Sequence, residues 1–229
     1  NFYDLVIEVA IIRPGPIQGN LTHPYLKRRS GKEEVTYYDK SLEPILKPIL
    51  ERTKGVPLFQ EQMLEMAMHL ADFSGSQAEE LRRALSFHRS DKEMNKVSVK
   101  LRAALKRKSH APHVIQSVMN AITSFALYGF PESHAISFAH MAYSSSYMKV
   151  HRAPEFYASL LNNQPMGFYS PATLIKDAQR RGVHFKPVCV ARSEWNCTLE
   201  ADRPIRLGLR VVSGLSKANS EAVLGERRT

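Results

Sequence analysis

Two arginines and one turn carry the residue types best suited to chemistry in this chain. Arg82 and Arg83 are adjacent in a short helical stretch. Each offers a planar fork of donors matched to phosphate oxygens. Neighbours on a helix point about 100° apart, so the pair suits one extended triphosphate and hardly a single phosphate. A solvated helix face, with one arginine laying its stem on the surface, would use the same residues. The turn is Tyr128-Gly129-Phe130-Pro131-Glu132-Ser133-His134-Ala135. An aromatic-Gly-aromatic bend feeds a helix whose first turn presents Ser133 and His134. Aromatic faces stack on bases at ~1–3 kcal/mol each, and the N–H groups of a helix start favour an anion. A helix C-cap with Tyr128 and Phe130 clamped in the interior fits the same spacing, and Ser133 fits a plain N-cap.

Charge sets the surroundings. The turn closes a stretch of 38 residues, Met94–Pro131, with no acidic side chain and six Lys or Arg. Lys100, Arg102, Lys106, Arg107 and Lys108 form a basic run on one helix. Solvated faces normally mix signs, so the missing acids favour contact with a phosphate backbone. A net charge of +10 and a pI near 9.7 imply acidic partners: nucleic acid, nucleotides or an anionic surface. Other chemistries lack their signatures. There is no Walker loop, GxGxxG, HExxH or nucleophile elbow. Asp39, Asp72, Asp91, Asp177 and Asp202 stand apart, so no aspartate pair serves a two-metal site. Cys189 and Cys197 make neither a disulfide framework nor a zinc pattern, and reduced cytosolic thiols are expected. No run approaches the roughly eighteen apolar residues of a membrane span, so no membrane partner is expected. Asp4 and Glu8 argue against a signal peptide. The chain starts at Asn1, without Met, and reads as a piece of a longer protein.

These residues need helices to position them. The expected fold is mainly α: a multi-helix domain over 1–182 with a small α/β appendage at the C-terminus, 183–229, truncated at its end. Residues 1–12 read as helix or buried strand, stopped by Arg13-Pro14-Gly15-Pro16. A short helix is expected near Leu42–Arg52. Pro57 opens a helix at its N1 position, with Phe59, Met63, Met66, Ala67 and Leu70 on one face. Ser74 and Gln77 form a capping box for the arginine helix, which buries Ala78, Leu81 and Leu85. Further helices are expected over 91–108 and from Pro112 to Tyr128, the latter burying Ile115, Val118, Met119, Ile122, Phe125 and Ala126. A long helix capped by Ser133 runs to His151. It is apolar on most sides and should be central and buried. Two more helices start at Pro154 and, capped by Ser170, at Pro171, the last ending at Gly182. His184–Val190 and Ile205–Val212 read as strands.

Taken in order, Arg13-Pro14-Gly15-Pro16, Gly55-Val56-Pro57-Leu58-Phe59-Gln60-Glu61-Gln62, Leu81-Arg82-Arg83-Ala84, Tyr128 through Ala135, Pro154-Glu155-Phe156 and Gln164-Pro165-Met166-Gly167-Phe168-Tyr169 resemble the fingers of bacterial C-family DNA polymerases. The likeness is to the error-prone branch of the DNA polymerase III alpha subunit, and it covers about Phe2 to Leu215. It implies a part of a DNA-directed DNA polymerase of translesion and repair type, in the bacterial cytoplasm, that binds the incoming dNTP and the template-primer. Arg82 and Arg83 would grip the triphosphate. Arg89 is the candidate supporting cation, since the family's usual Met and Lys are replaced by the run Leu85–Arg89. Tyr128, Gly129, Phe130, Ser133 and His134 would line the nascent base pair. Arg13, Pro14, Gly15 and Pro16 would join palm to fingers, so that 1–16 leads in from a palm outside this chain. The basic residues from Lys100 to Lys108 would face the DNA backbone, although 95–115 departs from the family pattern. The resemblance places the metal-binding aspartates, and hence the Mg²⁺ ions, in that palm. No cofactor is expected on this segment, the segment alone is expected to be inert, and a sliding clamp and other translesion proteins would bind elsewhere. The alternative is a non-catalytic basic helical module that binds nucleic acid.

Overall fold

The apolar stripes read from the sequence meet in separate clusters. In a computed structural model, which describes residues 1–12, 24–86, 91–128 and 130–227, the chain forms two compact units, Asn1–His140 and Met141–Thr229. Among the described residues there are eleven α-helices and one three-stranded sheet, so the fold is mainly α with a small sheet near the C-terminus.

The first unit holds α1 (Phe2–Ile11), α2 (Pro24–Arg29), α3 (Glu43–Leu50), α4 (Gln60–Ala71), α5 (Gly75–Ser86), α6 (Asp91–Arg107) and α7 (Pro112–Tyr128). One cluster joins Leu46 and Leu50 of α3, Met63, Met66 and Leu70 of α4, Leu81 and Leu85 of α5, Leu101 and Leu105 of α6, and Val118 and Ile122 of α7. These are the positions that helical periodicity selects. The side chains of Phe125 and Ala126 lie outside the described residues. The second cluster sets Val6, Ile7 and Ala10 of α1 against Tyr25, Phe59, Ala135 and Ala139. Of the two readings of residues 1–12, helix holds, over Phe2–Ile11. The capping box of α5 forms as expected, with the Ser74 N–H donating to Gln77 Oε1 at 2.9 Å.

Two helix starts differ from expectation. α4 begins at Gln60, not near Pro57. The buried Gln62 side chain reaches back and its Oε1 accepts from the N–H groups of Leu58 and Phe59 at 2.9 and 3.1 Å. Phe59 stays extended because it pairs with Phe130 in an isolated parallel bridge. α8 (Glu132–His151) begins one residue before Ser133, so Ser133 sits in the first turn and does not cap it. A carboxylate from another helix serves that end: the Glu132 N–H donates to Glu61 Oε2 at 2.9 Å.

The larger correction concerns the rest of α8. It is not a central buried helix. Only Ala135 and Ala139 are buried, and all positions from 140 to 148 are exposed, including Met141, Tyr143 and Tyr147. Apolar residues spread around the whole circumference select no single face. Two small residues four apart are what let α8 pack into the cluster with α1. The boundary between the two units falls within this helix.

In the second unit, α9 (Ala153–Asn162) and α10 (Pro171–Arg180) pack with Val183, Cys197 and Ile205. Ser170 caps α10, and Gly182 follows it at φ +78°, as read from the sequence. The strands are much shorter than expected: β1 (Phe185–Lys186), β2 (Thr198–Leu199) and β3 (Ile205–Arg206). β3 lies between the others, parallel to β1 and antiparallel to β2. Pro187 cannot donate to the ladder. Beyond β3, a Cβ on Gly208 would sit 2.4 Å from the Trp195 carbonyl oxygen, and the chain then turns into a 3₁₀ segment, Leu209–Val211. Gly214, at φ +78°, turns that segment toward α11 (Lys217–Glu226), which Ser216 caps.

Candidate functional site

Burial of Leu81 and Leu85 forces Arg82 and Arg83 to the solvent side of α5. Both turn to one carboxylate. Arg82 donates from Nε and Nη2 to Glu79 at 2.8 Å each, and Arg83 Nε donates to the same group at 3.1 Å. Glu79 precedes the arginines by three and four residues, the spacing at which helical side chains meet. Two guanidiniums thus converge on a single carboxylate of their own helix. Hydrogen bonds from Arg82, then Arg83, hold the Glu79 carboxyl at about 2, below its ordinary value of 4.5. Arg89 lies outside the described residues.

On α6, Val97, Leu101, Ala104 and Leu105 are buried. At 100° per residue, Lys92, Lys96, Lys100, Arg102, Lys106 and Arg107 then share about 160° of the opposite side, and all six are exposed. Acids absent from the local sequence arrive from elsewhere. Lys100 pairs with Glu80 of α5 at 2.7 Å and Lys108 with Asp72 at 2.8 Å, while Lys96 pairs with Glu93 at 2.6 Å. An acid-free window in sequence is therefore not an acid-free surface. Neighbouring carboxylates of α5 thus serve both cation groups, Glu79 the arginine pair and Glu80 Lys100 of α6.

The turn is built by different elements. Gly129 and the side chain of Tyr128 lie outside the described residues, as do Arg13, Pro14, Gly15 and Pro16. Phe130 is half-buried, and its carbonyl accepts from the Gln60 N–H at 3.0 Å. His134 is exposed between two rings, with centroid distances of 5.1 Å to Phe130 and 4.6 Å to Phe138. Ser133 is exposed on the same first turn. Behind them Tyr3 Oη donates to Glu132 Oε1 at 2.6 Å, and the Arg52 guanidinium lies 3.4 Å from the Tyr3 ring centroid. Burial, then the bond to Glu132, pushes the Tyr3 phenol well above its ordinary range. Sequence reasoning missed this network. Its members are far apart in the chain, and only Glu132 after Pro131, a plausible first helical residue, marked the place.

Among the described residues no three His, Cys, Asp or Glu side chains come together as a metal site. No described helix is long and apolar enough to cross a membrane.

The bacterial DNA polymerase III alpha subunit finger domain matches residues 1–109, which include the arginine pair and α6. A helix-hairpin-helix motif matches residues 182–229. Over 231 aligned residues the chain is 46% identical to error-prone DNA polymerase 3 of Agrobacterium fabrum, with 99% of the chain and 21% of the relative covered. The error-prone DNA polymerase of Xanthomonas axonopodis pv. citri is 44% identical over 243 residues, covering 99% of the chain and 22% of the relative. Residues 1–109 belong to the finger domain family of bacterial DNA polymerase III alpha subunits, and nearly the whole chain aligns with the error-prone enzymes. It spans about a fifth of the length of the curated relatives it matches. Within the finger family's matched span lie Arg82, Arg83 and the α6 cations; Phe130, Ser133 and His134 lie beyond it, inside the alignment with the error-prone enzymes. The helix-hairpin-helix match was not foreseen. Its signal was Gly214 followed by the N-cap Ser216, the punctuation of a tight hairpin before α11.

Proposed function

We propose that this segment forms the fingers of a DNA-directed DNA polymerase of the error-prone, translesion and repair type, where it binds the incoming dNTP and the template-primer. The observation that carries the reading is the convergence of Arg82 and Arg83 on Glu79, two exposed guanidinium forks already aimed at one anion. Exposed ion pairs contribute little net stability, so Glu79 is a counterion that a more highly charged phosphate can displace. The α6 stripe supplies the sequence-independent charge that tracks a DNA backbone, with Arg102, Lys106 and Arg107 beside the paired Lys100 and Lys108. Phe130, Ser133 and His134, with Tyr128 and Gly129, flank the nascent base pair, and Arg89 adds to the triphosphate grip. Arg13 to Pro16 form the palm-to-fingers junction. Residues 1–182 act as the helical fingers and 183–229 as a connecting region whose hairpin adds a further DNA contact.

In this reading the parent's divalent ions, Mg²⁺ by their chemistry, are held by carboxylates outside this chain and supply the activation of the primer hydroxyl and leaving pyrophosphate. This chain contributes orientation and charge. The parent works in the bacterial cytoplasm, and a sliding clamp and other translesion proteins bind it elsewhere. Two experiments test the proposal. The isolated chain shows no Mg²⁺-dependent primer extension; extension would overturn the division of labour. Arg83→Ala in the full-length polymerase raises the dNTP KM or lowers turnover by about ten- to a hundredfold, as expected for lost charge-assisted bonds, and leaves DNA affinity nearly unchanged. A uniform loss of DNA binding with a changed salt slope, and intact nucleotide kinetics, would instead favour the non-catalytic nucleic-acid-binding module.

A further inference from the structure

We infer that Tyr3 and Glu132 form a latch through which α1 and α4 set the position of the nucleotide-facing turn, making Tyr3 a positioning residue for dNTP selection; this rests on the reading given under Proposed function. The turn into α8 has few means of fixing itself. Phe130 is only half-buried, and Ser133 and His134 face solvent. It is fixed from behind at three successive levels. The Phe130 carbonyl accepts from Gln60 N–H at 3.0 Å, the Glu132 N–H donates to Glu61 Oε2 at 2.9 Å, and the Glu132 carboxylate accepts from Tyr3 Oη at 2.6 Å. Two of these anchors come from the first turn of α4. The third comes from α1, and it is the only one of the three made by side chains at both ends.

Tyr3 is itself held on two sides. Arg52 lies over one face of its ring, and its edge meets Phe59 at a centroid distance of 6.3 Å. Phe59 is fully buried and carries the bridge to Phe130. A movement of α1 is therefore passed to Glu132 through one short hydrogen bond and to Phe130 through one buried ring. Ser133 and His134 follow Glu132 in the first turn, so their placement depends on the same bond. An interaction that orients a substrate pocket without touching the substrate changes the affinity for the correct nucleotide before it changes stability.

The test uses the full-length polymerase. Tyr3→Phe removes the hydroxyl and keeps the ring under Arg52 and beside Phe59. The expected result is a dNTP KM raised about three- to tenfold, the net contribution of one intramolecular hydrogen bond, with kcat within about twofold and primer-template affinity unchanged. Glu132→Gln keeps an acceptor for Tyr3 and stays near wild type, while Glu132→Ala matches Tyr3→Phe. An unchanged KM in Tyr3→Phe, or a Glu132→Gln variant as impaired as Glu132→Ala, overturns the latch. Arg83→Ala measured alongside separates the two claims. If it raises the KM and Tyr3→Phe does not, the latch alone fails. If neither variant moves the KM, the nucleotide-site reading fails with it.

Discussion

The arginine edge of α5 and α6 and the turn into α8 solve opposite problems in one unit. Along α5 and α6 the cations are exposed, and their carboxylate partners sit at the surface: Glu79, Glu80, Asp72 and Glu93. At the turn, the anchors are two bonds from the first turn of α4 and a short phenol-carboxylate bond spanning 129 residues of sequence, backed by the buried Phe59 ring. Surface ion pairs exchange partners at low cost, whereas buried hydrogen-bonded groups resist rearrangement. The difference teaches a division of roles. Under the proposed function, the first region trades its internal anions for external ones, and the second keeps one shape.

Core truncation at the turn should give the largest effect. Phe59→Ala removes the ring beneath Tyr3 and the side chain at the bridge, and should cost about 3–5 kcal/mol, as for other fully buried aromatics. Thermal unfolding of the chain checks this. Arg82→Ala on exposed α5 should leave the melting temperature essentially unchanged, and an equal loss in both variants would break the comparison. The next effect concerns the α6 stripe. Lys106→Ala/Arg107→Ala should lower DNA affinity and flatten the dependence of log K on log salt by about two, one for each lost phosphate contact. Fluorescence anisotropy over a salt series reads this, and an unchanged slope would remove the backbone contact from the account. The smallest effect is at Glu79. Glu79→Gln frees the arginines of a competing charge and should lower the dNTP KM by no more than about threefold. A raised KM would mean that Glu79 holds the forks in place and does not compete with the phosphate.

Much of the fold was legible because helices declare themselves locally. The span from Pro112 to Tyr128, the capping box at Ser74 and Gln77, and the Ser170–Gly182 helix follow from caps and periodicity. What escaped depends on distant partners. Phe130 delays α4 by pairing with Phe59 from far along the chain, and α8 proved exposed because composition cannot reveal which face another element will cover. The strands shortened around Pro187 and the close approach at Gly208, where a single residue overrides a Val-rich run. At the site, Arg82, Arg83 and the α6 cations were visible from residue type alone. Their pairing with Glu79, Glu80 and Asp72 was not, since the α6 partners come from other elements, and neither was the Tyr3–Glu132 contact.

A triphosphate grip by Arg82 and Arg83 differs in its kinetics from a hold on the DNA backbone. Single-turnover incorporation by the full-length polymerase carrying Arg82→Ala/Arg83→Ala measures it most directly, with the dNTP Kd and the primer-template Kd determined on the same protein. A triphosphate grip predicts a dNTP Kd weakened by at least about tenfold with the primer-template Kd and its salt slope preserved. A preserved dNTP Kd with weakened, salt-altered DNA binding would contradict it.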